Sequence, residues 1–224
     1  GHDQLLQPRG KGAGEDDDFF AHHRDDQAET VLMRLLKGTG PRGLPGIRPV
    51  SKREGMILIR PFLSFTKSEI IQFLKENSIS YRKDPTNRSF RYLRNRIRYR
   101  LLPLLEKEFN PQTRESLVRL AETAHRETAG LDEWVQKNWK KFIRSRKKKT
   151  LRLERETFLA LPGLLRFRVM DRAVKELHPE SGLDFKAWEK IEAGFKRGRW
   201  RMSLPKNIDL TLTPKMLFVT NPGK

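Results

Sequence analysis

Residues 21–46 read AHHRDDQAETVLMRLLKGTGPRGLPG. Upstream, Phe19-Phe20-Ala21 has the character of the end of a short buried strand. Downstream, Ala28, Val31, Leu32, Leu35 and Leu36 recur at i, i+3, i+4, i+7 and i+8, the apolar stripe of a helix lying on a core. The polar run His22-His23-Arg24-Asp25-Asp26-Gln27 therefore sits at a strand-to-helix junction. In open α/β sheets, ligands bind in the crevice outside the carboxyl ends of the strands. The helix is expected to stop at Gly38. Gly40, Gly43 and Gly46, with Pro41 and Pro45, cannot continue it and form a loop that turns tightly or approaches a ligand.

The plain account of the run is capping, with Asp25 at the helix start and Asp26 and Glu29 favoured by the dipole in the first turn. A cap needs one acceptor, whereas this run together with Glu29 supplies three carboxylates and two imidazoles. Such a group suits Mg²⁺ shared with nucleotide phosphates, with Asp26 as the candidate ligand. It equally suits general-base work on an amine nucleophile. The candidate catalytic residues here are His22, His23, Asp25 and Asp26. Gln27, Glu29, Arg34, Gly38 and Gly40 are candidates for shaping or binding substrate.

Residues 90–100, FRYLRNRIRYR, pack five arginines and three aromatics into eleven positions. On a helix Leu93, Ile97, Leu101 and Leu105 form the buried stripe. Arg94 and Arg98 lie one turn apart on one border, with Arg91 and Asn95 beside them. A packed leucine face would hold the two guanidiniums rigidly, as bidentate contacts with phosphate or carboxylate require. Arg96 and Arg100 lie on the other border and read as a solvated face.

The chain has 224 residues, a net charge of +19 and no cysteine, which excludes disulfides and thiolate metal sites. Residues 1–20 hold two bases and five acids, so residues 21–224 carry 45 bases against 23 acids, a net +22. That excess favours a polyanionic partner, nucleic acid first among them. No apolar stretch approaches the ~20 residues of a membrane span and no signal peptide is visible, so a soluble, cytoplasmic protein without a membrane partner is expected.

Residues 1–17 read as a linker or remnant, and a first domain as residues 18–112. It includes a strand at 57–62, a helix opened by the capping box Thr66-Lys67-Ser68-Glu69 with a core face of Ile70, Ile71, Phe73 and Leu74, a turn at Asp84-Pro85-Thr86-Asn87, and a helix from about Tyr92 to Glu108. Residues 113–224 read as a second domain. It opens with a long helix from about Pro111 to Arg146, whose end carries Arg144, Arg146, Lys147, Lys148 and Lys149, a charge run suited to RNA backbone. Helices at 157–177 and 185–195 follow, with strands near 151–153, 199–204, 208–212 and 216–219. The four tryptophans read as core anchors.

The string AHHRDDQAETVLMRLLKGTG resembles the signature of the tRNA(Ile)-lysidine synthetase family, ATP-pyrophosphatase-type enzymes of the Rossmann-like P-loop class. Further matches follow in family order: Ile59-Arg60-Pro61-Phe62-Leu63, Asp84-Pro85-Thr86-Asn87, Arg94-Asn95-Arg96-Ile97-Arg98 and Leu102-Pro103-Leu104-Leu105. The resemblance is strong over residues 18–112 and weaker beyond. It implies an α/β fold, with part of a Rossmann-like (adenine nucleotide alpha hydrolase-like) parallel-sheet domain followed by a mainly helical tRNA-binding domain with a few short strands.

It also implies ATP and Mg²⁺ as cofactors, and L-lysine and tRNA(Ile) with a CAU anticodon as partners. The reaction would be ligation of lysine to the wobble cytidine through an adenylated base. Arg94 and Arg98 would balance phosphate or carboxylate charge, Asp26 would take the lysine ammonium or Mg²⁺, and His22 or His23 would assist proton transfer. Arg91, Arg144, Arg146 and Lys147–Lys149 would touch tRNA, and a homodimer is the assembly held open.

The family's Ser-Gly-Gly-x-Asp-Ser phosphate loop does not occur in these 224 residues, and Gly10-Lys11-Gly12-Ala13-Gly14 does not replace it. A fragment, a chain with parts removed, or a diverged protein is expected, and no ATP–pyrophosphate exchange from the chain alone. Two rivals stay open: another ATP-pyrophosphatase-type tRNA-modifying enzyme, and a non-catalytic RNA-binding module.

Overall fold

A computed structural model describes residues 17–53, 56–81 and 90–222. The expected turn at 84–87, the Gly10–Gly14 stretch and all but the last residue of the expected 1–17 linker lie outside the described residues. The chain divides into two compact units, residues 1–126 and 127–224. The division falls inside the helix Thr113–Phe142.

In the first unit, β1 (Asp17–Phe19) leads into α1 (Arg24–Lys37). A hairpin of β2 (Val50–Arg53) and β3 (Met56–Ile59) follows. β3 lies between the other two strands, parallel to β1 and antiparallel to β2. Val50-Ser51-Lys52-Arg53 lacks apolar alternation, and β2 is held by pairing with β3 rather than by its own pattern. Pro61 then opens a 3₁₀ turn, Pro61–Ser64.

α2 (Lys67–Glu76) starts at the expected capping box, with Thr66 Oγ1 accepting from Glu69 N at 3.2 Å and Thr66 N donating to Glu69 Oε2 at 2.6 Å. Its predicted core face is not buried: none of Ile70, Ile71, Phe73 and Leu74 is, and Phe73 is 59% exposed. Amphipathic spacing marks a face suited to burial; only a packed neighbour buries it. The same contrast runs along α1, where Ala28 and Val31 are fully buried while Leu35 and Leu36 are exposed.

The basic segment forms α3 (Leu93–Arg96), a π turn (Ile97–Leu101) and α4 (Leu102–Glu108). Pro103 lacks an N–H and cannot close the i→i−4 bond to Tyr99, a local reason for the wider turn before it. Ile97 and Leu102 are the buried anchors of this stretch.

α5 (Thr113–Phe142) carries the chain from the first unit into the second. It ends at Phe142, so the charge run does not finish a helix as expected. Ile143–Lys147 is strand β4, which turns at Lys148-Lys149 into β5 (Thr150–Glu154). Ile143 pairs with Leu153 and packs on the core, so the period of two displaces the helical one.

α6 (Arg155–Leu159) and α7 (Gly163–Leu177) replace the single helix expected at 157–177, because Pro162 interrupts it. α8 spans Phe185–Phe195. β6 (Trp200–Leu204) and β7 (Ile208–Leu212) fall where alternation placed them, and β8 (Met216–Thr220) where a short apolar run did. The five short strands join one antiparallel sheet in the order β4-β5-β8-β7-β6. Its inner face, including Leu151, Leu153, Leu210, Leu212, Leu217 and Val219, packs with Trp139, Trp188 and the helices. Trp134 is 37% exposed and is not a core anchor. Among the described residues no helix is long and apolar enough to cross a membrane.

Candidate active site

Four charged side chains converge at the carboxyl end of β1. The chain leaves β1 at Phe19, Phe20 N donates to Ile59 O at 2.9 Å, and three residues later His23 precedes the first turn of α1. Asp26 and Glu29, one turn apart on α1, therefore share a face, and both are buried. Opposite them stand Arg94 and Arg98, one turn apart on the basic helix.

Arg98 Nη2 donates to Asp26 Oδ1 at 2.6 Å and to Glu29 Oε2 at 2.9 Å, and its Nε to Glu29 Oε1 at 2.5 Å. Arg94 Nη2 donates to the same Asp26 Oδ1 at 2.9 Å, and its Nε to Glu29 Oε2 at 3.1 Å. Two carboxylates thus face two guanidiniums in a neutral quartet. Burial works to lower the pKa of Arg98, and the carboxylates of Glu29 and Asp26 outweigh it, so the guanidinium is held even more firmly protonated than usual.

The two adjacent aspartates part company. Asp26 Oδ2 accepts the His23 backbone N–H at 3.0 Å, half of a capping box, while Oδ1 meets the arginines. Asp25 points elsewhere: its Oδ2 accepts from Lys67 N at 2.9 Å at the start of α2, and its Oδ1 lies 3.4 Å from Arg114 Nη1. His23 Nδ1 lies 3.4 Å from Asp25 Oδ2 and His23 Nε2 3.4 Å from Asp26 Oδ2, which places the imidazole between the two carboxylates. The His23 side chain, then the Lys67 N–H and the Arg114 charge, hold the Asp25 carboxyl well below the usual carboxylate range against the opposing effect of burial. Asp25 joins the starts of two helices; Asp26 faces the quartet. His22 stacks on Phe20, ring centroids 5.9 Å apart, at the rim of this group.

Four of the residues expected to bind or shape substrate, Gln27, Arg34, Gly38 and Gly40, make contacts in or to the loop after α1. Gln27 donates to Pro45 O at 3.0 Å and Ile47 O at 3.2 Å and accepts from Ile47 N at 2.7 Å, so its amide is taken up by backbone. Arg34 Nη1 donates to Gly43 O at 2.5 Å, and Gly38, at φ 78°, closes the helix by donating to Leu35 O. Gly40 O accepts from Gly43 N within the same loop. Gly46 has φ 63°, and a Cβ there would come within 2.5 Å of Gln27 Oε1. Gln27→Leu should therefore leave three backbone groups unpaired, at about 1–3 kcal/mol for each that stays buried. Limited proteolysis is expected to cut between residues 38 and 47 faster in this variant; an unchanged cleavage rate would refute the anchoring role.

Asn95 lies between the quartet arginines on α3, half-buried, while Arg91 is exposed just before the helix. A cavity of about 440 Å³, bounded by Arg24, Gln27, Ile47, Arg60 and His125, lies on the face of α1 opposite the quartet. Mg²⁺ on Asp26 does not fit this arrangement. Oδ1 is held by two guanidiniums and Oδ2 by a backbone N–H, and among the described residues no three His, Asp or Glu side chains group as metal ligands.

The PP-loop domain family, an ATP-binding class, matches residues 17–105, the interval that contains the whole quartet. Over 186 residues the chain is 34% identical to the tRNA(Ile)-lysidine synthase of Bradyrhizobium sp., covering 81% of this chain and 52% of the relative. Over most of its length the chain is similar to the tRNA(Ile)-lysidine synthases. A second member, from Bacillus subtilis, is 35% identical over 168 residues, 75% of this chain and 35% of the relative. A third, from Parabacteroides distasonis, reaches 50% over 102 residues, 46% of this chain and 22% of the relative. The chain thus spans about half or less of the length of these family members.

Proposed function

We propose that this chain supplies the lysine-handling half of an ATP-dependent tRNA(Ile)-lysidine synthase. The observation that carries the reading is the neutral quartet of Asp26, Glu29, Arg94 and Arg98 in the PP-loop segment. In the overall reaction the carbonyl oxygen of the wobble cytidine attacks the α-phosphorus of ATP and pyrophosphate leaves. The lysine ε-amine then bonds to that carbon, AMP departs with the oxygen, and the amine gives up a proton. Two anionic species, the phosphates and the lysine carboxylate, and one cation, the lysine ammonium, must be held close together.

The quartet can accept both signs by exchanging partners. An incoming carboxylate or phosphate takes the forked donors of Arg94 and Arg98. The Asp26 or Glu29 carboxylate so released takes the ammonium. His23, lying between Asp25 and Asp26, is placed to relay the proton lost by the attacking amine. While Asp26 and Glu29 are held by the two arginines they do not fit Mg²⁺ as ligands, and no role is assigned to the ion in this quartet.

The excess of basic residues supports tRNA as the partner, with Arg144, Arg146 and Lys147–Lys149 on the exposed β4–β5 hairpin as contacts to its backbone. Arg146 is in addition paired with Glu176 at 2.9 Å. The test joins residues 17–224 to the Ser-Gly-Gly-x-Asp-Ser segment of a family member and measures ATP-dependent incorporation of labelled lysine into tRNA(Ile). Incorporation that requires both ATP and the CAU anticodon is expected. The chain as it stands should bind tRNA with an affinity that falls steeply as salt rises. A joined enzyme that binds tRNA but transfers no lysine would overturn the reaction, and a flat salt response would overturn the RNA partner.

A further inference from the structure

The sheet of the second unit has one face packed on helices and one face open, and the open face carries an ordered row. The register pairs Ser145 with Arg152, Arg152 with Phe218, Phe218 with Thr211, and Thr211 with Arg201. Directly paired residues on neighbouring strands point to the same side. The alternate positions, Leu151, Leu153, Leu210, Leu217 and Val219, are fully buried, so this row faces away from the core. A register shift between Ile143 and Ser145 leaves Ser145 at the end of the row with its Oγ buried, sets Lys147 on the open side and turns Arg146 toward α7, where it meets Glu176.

The middle of the row is a partly exposed aromatic ring between two exposed arginines. The Arg152 guanidinium carbon lies over the Phe218 ring, 5.4 Å from its centroid. Arg201 is 70% exposed and is steadied by Asp209 at 2.8 Å. Five strands at the usual spacing make the row about 19 Å long. Along the face and its edge hairpin, Arg144, Lys147, Lys148, Lys149, Arg152 and Arg201 stand against Glu154 and Asp209. A planar apolar ring flanked by guanidiniums, on a surface with excess positive charge, matches what an unpaired nucleobase and its phosphates require.

We infer that the open face of this sheet is a platform for single-stranded RNA, with an unpaired base stacking on Phe218 and Arg152 and the backbone running between Arg201 and the β4–β5 hairpin. The inference rests on the proposed RNA partner and adds where, and in which form, the RNA is held. A duplex cannot offer an unstacked base, so the platform discriminates strandedness rather than sequence.

The full chain is titrated by filter binding with a short single-stranded RNA, a duplex RNA of equal length and a tRNA. Phe218→Ala is expected to weaken the single strand roughly ten-fold, the loss of one stacked base, and to leave the duplex unchanged. Phe218→Leu keeps the apolar volume and should show the same selective loss with an unchanged melting temperature, while Phe218→Tyr should restore binding. Single-strand affinity that survives Phe218→Leu, or falls equally with duplex affinity, would overturn the platform while leaving the tRNA partner standing. A chain that binds none of the three RNAs would overturn both.

Discussion

Asp26→Asn is expected to lower lysine incorporation by ~10²-fold or more, the scale of a lost acid–base or charge-orienting group, in the enzyme that joins this chain to a family phosphate loop. The change keeps the side chain's volume and removes one charge. In the quartet Asp26 Oδ1 accepts from both Arg94 and Arg98. A neutral amide cannot balance two guanidiniums, nor can it take an ammonium when an anion displaces it from them. Because Asp26 is buried and offers no surface to RNA, tRNA affinity should hold. A loss in turnover without a loss in tRNA binding is the mark of an interaction at the reacting centre. Lysine incorporation at the unmodified rate would return Asp26 to the role of a helix-capping residue. A parallel loss of tRNA affinity would point instead to a misfolded site.

Arg98→Ala should destabilise the first unit by about 3–5 kcal/mol, the range seen when one partner of a buried ion pair is removed. Glu29 is 1% exposed and takes two of its hydrogen bonds from Arg98, so the truncation strands a buried carboxylate with Arg94 alone. Thermal or urea denaturation of the full chain measures the loss. Arg98→Ala combined with Glu29→Leu should be less destabilising than Arg98→Ala by itself, because the double change leaves no orphaned charge at Glu29. A single variant as stable as the unmodified chain would show that the quartet contributes nothing to folding. A double variant less stable than either single one would show that Glu29 is held by partners other than Arg98.

What sequence alone determined is set by local periodicity and by residue chemistry. The stripe starting at Ala28 and Val31 located α1, the Thr66–Glu69 capping box located α2, alternation located β5, β6 and β7, and a short apolar run located β8, because these signals act within a few residues. Arg94 and Arg98 were recognisable together as a rigid pair, and Asp26 and Glu29 as carboxylates at a helix start.

That the two pairs neutralise one another required the tertiary structure, since they lie more than sixty residues apart in sequence. The same holds for the division of labour between Asp25 and Asp26, which depends on which helix start each oxygen meets. Gln27 looked like a ligand contact until its amide was seen bound to Pro45 and Ile47. The charge run at 144–149 reads as a helix end, and the pairing of Ile143 with Leu153 makes its first half a strand. In each case the pattern named the element or the residue type, and a distant packing partner decided its role.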